Sequence, residues 1–157
     1  MIYCSGYKRK YGILDKNAIS LASCDGDVKF LEWFKNSGYE FKYDKRAINL
    51  ACYNGHIQVL EWFKNSGYEF KYDEDAIHNA SINGHVQVLE WFKNSGYEFK
   101  YNKKAIIWAF YNEHINVLEW FKNYCNIKKI IKILGSYRNK KIKYKTKNNY
   151  IKGYNKN

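Results

Sequence analysis

Apolar residues in this chain recur in short groups spaced by three and four, and the groups recur at a longer fixed step. In "HIQVLEWFKNS" (His56–Ser66), Ile57, Leu60 and, beside them, Val59 and Phe63 make a stripe along one side of a helix. In "DKRAINLACYN" (Asp44–Asn54), Ala47, Ile48, Leu50 and Ala51 mostly face one way, which predicts a second short helix. "YEFKY" (Tyr68–Tyr72) alternates instead: Tyr68, Phe70 and Tyr72 fall on one side, Glu69 and Lys71 on the other. That pattern predicts an extended connector with one buried side. Gly26, Gly55 and Gly84 predict tight turns between the helices, and Gly38, Gly67 and Gly96 predict helix ends. Asp44, Asp73 and Asn102 are placed to cap the first helix with their side-chain oxygens.

The longer step is 29 residues. "NGHIQVLEWFKNSGYEFKY" from Asn54 and "NGHVQVLEWFKNSGYEFKY" from Asn83 differ at one position. Trp33, Trp62, Trp91 and Trp120 keep the step, as do Phe34, Phe63, Phe92 and Phe121. Units are expected at 15–43, 44–72, 73–101 and 102–130. Helices of about ten residues are marginal in water alone, so each pair needs the next to cover its stripe. The expected architecture is an all-α solenoid of helix–turn–helix repeats, with the four periodic tryptophans in its core. His56, His85 and His114 also keep the step. Packed helices lie about 10 Å apart, too far for one ion to join residues of successive units, so these are expected to be hydrogen-bonding turn residues.

The residues "AINLACYNGHIQVLEWFKNSGYEFK" resemble ankyrin repeats. Ala47–Cys52 takes the place of that family's Pro-Leu-His-x-Ala-Ala segment, Gly55-His56 its Gly-His, Val59–Phe63 its Val-Val-x-Leu-Leu, and Gly67–Glu69 its Gly-Ala-Asp. The likeness covers residues 15 to about 126. It implies an ankyrin-like fold and protein–protein interaction through the first-helix face and loop tips. The family's usual unit is about 33 residues. The residues missing here fall where a β-hairpin tip would be, so clipped hairpins or plain loops are expected. The first-helix Thr-Pro is absent, and its histidine is replaced by Ser20, Asn49, His78 and Ile107. "LEWFKNSG" resembles the degenerate ankyrin-repeat proteins of giant amoeba-infecting DNA viruses. That implies an intracellular protein partner of host or viral origin, with the chain acting as a monomer.

The ends depart from the pattern. "SGYKRKY" (Ser5–Tyr11) echoes "SGYEFKY", so residues 1–14 are expected to be a partial repeat, serving as a cap or left by truncation of a longer array. Glu113 replaces the turn glycine in the fourth unit. "NIKKIIKIL" (Asn126–Leu134) has a helical stripe, and a capping helix is expected over 127–135.

Charge is divided unevenly. All 15 acidic residues lie at or before Glu119, whereas 12 of the 27 basic residues follow Phe121. Residues 136–157 are expected to be a basic, disordered tail. Arg138, Lys140, Lys141, Lys143, Lys145 and Lys147 are candidate phosphate contacts, with interleaved tyrosines able to stack on bases. The alternative is compositional, since A/T-rich codons encode Lys, Asn, Ile and Tyr. Cys4, Cys24, Cys52 and Cys125 form no Cys-x-x-Cys pair and read as reduced thiols of an intracellular, soluble protein. No signal-peptide pattern or membrane-length apolar run is present. No phosphate loop, nucleophile elbow or other catalytic motif occurs, so neither catalysis nor a cofactor or metal is expected.

Comparing the units with one another separates packing from recognition. Positions that vary while the scaffold holds are Asn17, Arg46, Asp75 and Lys104; Ser20, Asn49, His78 and Ile107; and Cys24, Tyr53, Ile82 and Tyr111. The expected partner-binding set is Arg46, Tyr53, Asp75, His78, Ile82, Lys104, Ile107 and Tyr111, with drift on a solvent face as the alternative. Other readings are a nucleic-acid or acidic-surface binder acting through the tail, and a decayed fragment of a longer array.

Overall fold

A computed structural model describes residues 10–11, 14–124 and 134–135. The tail at 136–157, most of the N-terminal remnant and most of the expected capping helix lie outside the described residues. Within them are eight helices and no strand. They are α1 (Lys16–Asp25), α2 (Val28–Lys35), α3 (Lys45–Tyr53), α4 (Ile57–Asn65), α5 (Glu74–Ile82), α6 (Val86–Ser95), α7 (Lys103–Tyr111) and α8 (Ile115–Tyr124). Each odd-numbered helix turns back into the following even-numbered one. The inner helices α1, α3, α5 and α7 stack closely on one another, while the outer helices touch more sparsely. The all-α solenoid read from the period is the fold observed.

The inner stack is close because its contact positions are small. Ala18, Ala47, Ala76 and Ala105, then Ala22, Ala51, Ala80 and Ala109, are fully buried. The outer helices fill the remaining space with Phe34, Phe63, Phe92 and Phe121, all fully buried, beside Leu31, Leu60 and Leu89. The expected caps are present, and Asp15 joins them. Asp15 accepts from the Asn17 amide at 2.8 Å, Asp44 from Arg46 at 2.9 Å, Asp73 from Asp75 at 3.1 Å and Asn102 from Lys104 at 2.8 Å.

The periodic tryptophans are not core residues, which corrects the expectation. Trp33, Trp62, Trp91 and Trp120 are half-buried and pack against the core from its edge. Three of them bond back to the preceding helix pair. The indole Nε1 of Trp62 donates to Glu32 at 2.7 Å, that of Trp91 to Glu61 at 2.6 Å and that of Trp120 to Glu90 at 2.5 Å. An indole N–H needs an acceptor and its ring needs apolar cover, and an edge position between pairs supplies both. Asn36 holds Glu32 and Asn94 holds Glu90, which accounts for the invariance of "EWFKN" in packing terms. We predict that Trp91→Phe, which keeps a ring and deletes the donor, lowers unfolding free energy by about 1 kcal/mol in urea denaturation. An unchanged midpoint would show the ladder to be energetically idle.

The connectors carry a second ladder. The Tyr43 hydroxyl donates to the Glu69 carbonyl, and the Tyr72 hydroxyl to the Glu98 carbonyl at 2.6 Å. Phe41 stacks on Tyr68 with ring centroids 4.5 Å apart, and Phe70 on Tyr97 at 4.4 Å. Burial pushes the Tyr43 phenol up to about 12, keeping it a donor. These aromatic loops take the place of hairpin tips.

The first pair differs at its turn. Asp27 stands where later pairs carry histidine. It caps α2 by accepting from the Phe30 amide at 3.0 Å, and it receives the Tyr11 hydroxyl at 2.8 Å and Lys10 at 3.0 Å. Residues 10–11 thus seat at the α1–α2 turn through Asp27 and, at 3.4 Å, through Asp25; the Asp27 carboxylate is held below its usual range by its donors despite partial burial.

Candidate binding face

An α-helix repeats its faces at intervals of three and four residues, so the varied positions at the start and end of each inner helix share one side. That side also carries a position between them. The water-facing stripe reads Asn17–Leu21–Cys24 on α1, Arg46–Leu50–Tyr53 on α3, Asp75–Asn79–Ile82 on α5 and Lys104–Trp108–Tyr111 on α7. Leu21 is 48% exposed, and Tyr53 and Trp108 are each 45% exposed. Cys24, Leu50, Asn79, Ile82 and Tyr111 are half-buried, and Arg46, Asp75 and Lys104 are exposed.

The column Ser20–Asn49–His78–Ile107 does not belong to this stripe; the burial of Ile107 corrects its place in the expected docking set, of which His78 is the column's only other member. Ser20, Asn49 and Ile107 are buried, Ile107 to 7% exposure, and His78 is half-buried. Three residues beyond the first stripe position, these side chains lie on the shoulder that meets neighbouring helices. Asn49 Nδ2 donates to Asp73 Oδ1 at 2.8 Å, and Ser20 bonds the Lys16 carbonyl at 3.0 Å. The Asn49 bond joins two successive units, whereas the Ser20 bond stays within α1. The neglected column was Leu21, Leu50, Asn79 and Trp108. Its sequence signal is Trp108, the one tryptophan off the 29-residue step.

The far end of the stripe is held by the turn histidines. His56 Nε2 bonds the Cys24 carbonyl at 2.9 Å and His114 Nε2 bonds the Ile82 carbonyl at 2.9 Å. Asn54 and Asn112 donate to the same two carbonyls at 2.9 and 2.7 Å. His85 makes the corresponding bond to the Tyr53 backbone. Each histidine therefore fixes the end of the preceding inner helix, at Cys24, Tyr53 and Ile82 in turn. These are the hydrogen-bonding turn residues expected from sequence.

Two histidines carry a pH consequence. Burial holds His85 below its ordinary value of 6.5, reinforced by the neighbouring His56 and His114 and opposed by the bond to Tyr53. Burial likewise lowers His78, with Asp75 opposing and Lys104 reinforcing. A folded value below the unfolded one means the unfolded chain takes up the proton first. The stability from these groups is thus present above pH 6.5 and lost as pH falls below it. We predict that the urea midpoint falls between pH 7.5 and 5.5, and that combining His78→Asn with His85→Asn flattens that dependence. An unchanged slope in the double variant would refute the assignment.

Burial pushes the Cys52 thiol well up, away from nucleophilic use. Among the described residues, no group of three His, Cys, Asp or Glu side chains is placed to hold a metal ion, and no helix is long and apolar enough to cross a membrane. A groove of about 580 Å³ on the outer side, between α4 and α6, is lined by Ile57, Glu61, Lys64, Val86, Glu90 and Trp91, of which Glu61, Glu90 and Trp91 belong to the ladder.

Comparison with protein-family models matches residues 48–133 to ankyrin repeats in three copies. No curated protein matches the chain.

Proposed function

The chain belongs to the ankyrin-repeat family, whose members are in general protein-interaction modules, and from that premise we propose that it is a non-catalytic scaffold that docks a protein along its inner-helix stripe. The observation that carries this reading is where the variation falls. Successive outer helices repeat nearly letter for letter, whereas the exposed inner stripe differs in every pair: apolar and neutral on α1, cationic and aromatic on α3, acidic on α5, cationic and aromatic on α7. A surface freed from packing while its frame is held is suited to recognition.

The docking set is Arg46, Tyr53, Asp75, Ile82, Lys104 and Tyr111, joined by Leu50. Tyr53 and Ile82 supply apolar anchors, and the charges around them set register and partner choice. The four units proposed are 15–43, 44–72, 73–101 and 102–130. The partner proposed is an intracellular protein, with the chain monomeric.

The test is quantitative affinity purification from the native cell with three versions of the full chain. Tyr53→Ala combined with Ile82→Asp is expected to lose specific partners that the parent retains. Lys64→Ala, on the outer side, is expected to retain them. Equal recovery with all three would remove the inner stripe as the docking face.

A further inference from the structure

The inner stripe has three columns, and over α3, α5 and α7 they differ in kind. The entrance column carries Arg46, Asp75 and Lys104, all exposed. Among the described residues none of the three enters an ion pair, whereas Lys45, beside Arg46, binds Asp73. The two columns next to it are apolar apart from Asn79: Leu50 and Tyr53 on α3, Ile82 on α5, Trp108 and Tyr111 on α7. Tyr53 and Trp108 are the most open of these, each 45% exposed. Every unit here thus sets one unpaired charge beside apolar surface, and the charge changes sign from each unit to the next.

Stacked helices lie about 10 Å apart, so groups that match these charges must recur at that distance along one side of a partner. An α-helix meets this condition. Seven residues rise about 10.5 Å, and positions seven apart stay within about 20° of one another. An extended strand does not, because its same-side residues recur at about 6.6 and 13 Å. The width of the stripe agrees with a helix. Arg46 and Tyr53 stand seven residues apart on α3, about 10.5 Å along its axis, and a helix with its side chains is about 10–12 Å across. An amphipathic helix also carries an apolar face edged by charge, which is the order of the three columns.

We propose that the partner segment is an amphipathic α-helix laid along the array across α3, α5 and α7, with an acidic, a basic and an acidic residue at heptad spacing facing Arg46, Asp75 and Lys104, and its apolar face on Tyr53, Ile82 and Trp108. The inference rests on the inner-stripe docking reading and adds to it the partner's conformation and charge order. Opposite charges set the register, since a slip of one unit brings like charges together. Acid, base, acid reads the same from either end, so the charges admit both directions of the helix.

The test is fluorescence anisotropy of the full chain at low salt with labelled helical peptides of three heptads, about 21 residues, built on alanine with a leucine face. The matched peptide carries Glu, Lys and Glu at successive heptad positions beside that face, and the inverted peptide carries Lys, Glu and Lys. The matched peptide is expected to bind roughly tenfold more tightly or better, since inversion turns three opposite-charge contacts into like-charge ones. Asp75→Lys, with circular dichroism unchanged, should reverse the choice at the central position by roughly threefold or more in favour of a peptide with glutamate there. Tyr53→Ala should weaken the matched peptide. No binding of the matched peptide, equal binding of the inverted one, or a central preference that does not follow residue 75 overturns the proposal. So does tighter binding of a polyproline peptide with the same charges three positions apart, which repeats at about 9.3 Å without an α-helix. If the native partner still depends on Tyr53 and Ile82 in the affinity purification, such a result removes the helical occupant and leaves the docking face standing.

Discussion

Replacing Phe63 by alanine is expected to lower unfolding free energy by about 3–5 kcal/mol, the usual cost of deleting a buried aromatic side chain. Phe63 is fully buried in α4, in the second of four helix pairs, with a neighbouring pair on each side. Its ring lies 4.7 Å from Tyr43, 5.0 Å from Trp62 and 6.4 Å from Phe41. Removing it opens a cavity beneath the connector as well as between α3 and α4. Tyr43 then loses the surface that orients its hydroxyl toward Glu69, so both the core and the connector ladder weaken together. Single domains typically hold about 5–15 kcal/mol in total, so this variant should stand near its unfolding threshold. Because repeats are stabilised by nearest neighbours, damage in an interior pair also divides the array. Urea denaturation followed by circular dichroism is expected to show a markedly lower midpoint and a broadened transition. A loss under about 1 kcal/mol would mean that the interior pairs do not depend on the phenylalanine column.

The sequence was most legible where packing repeats. A fixed step for Ala, Phe, Gly and Trp located the helix pairs, and the Asp and Asn caps lie where short side-chain acceptors are needed. Periodicity could not separate the fully buried Phe63 from the half-buried Trp62 beside it, because both keep the step for structural reasons. The difference lies in chemistry: the indole N–H must find an acceptor, and Glu61 supplies the one for Trp91 only across two pairs. The candidate binding face was partly legible for a related reason. Variation marks positions that packing leaves free, and it located Arg46, Tyr53, Asp75 and Ile82 on exposed or half-exposed surface. It also picked out Ile107, which is buried, and His78, which is half-buried. Trp108 broke the period and could have been found from that alone. Which shoulder of the helix met water was set by stacking between pairs, and a single helix's pattern does not contain that information.

Gly55→Ala and Gly67→Ala make a matched pair with unequal expected costs. Both glycines have a left-handed backbone, with φ of 73° and 82°. An L-residue in that region costs about 1–2 kcal/mol on backbone grounds alone. At Gly67 an added Cβ meets nothing within 4 Å, so that cost is the whole expectation. At Gly55 the new methyl would lie 2.7 Å from His85 Nδ1 and 3.0 Å from Gln87 Nε2. To make room, His85 must leave the backbone of Tyr53, which it bonds. Overpacking of this kind adds about 1–3 kcal/mol, so Gly55→Ala is expected to cost about 2–5 kcal/mol in urea denaturation. The chain itself contains the control. Glu113 occupies the corresponding turn of the fourth pair at φ 62°, and no histidine stands one step beyond His114, where the sequence has Lys143. Glycine is thus kept where a following histidine presses on the turn and is dispensable where none follows. Combining Gly55→Ala with His85→Ala should then cost less than the sum of the two single changes, since one substitution removes the clash the other creates. Equal losses for Gly55→Ala and Gly67→Ala would mean that the histidine contact does not constrain the turn. The glycine column would then reflect backbone conformation alone, and the ends of the inner helices, with Tyr53 and Ile82 on them, would not be held by the pair that follows.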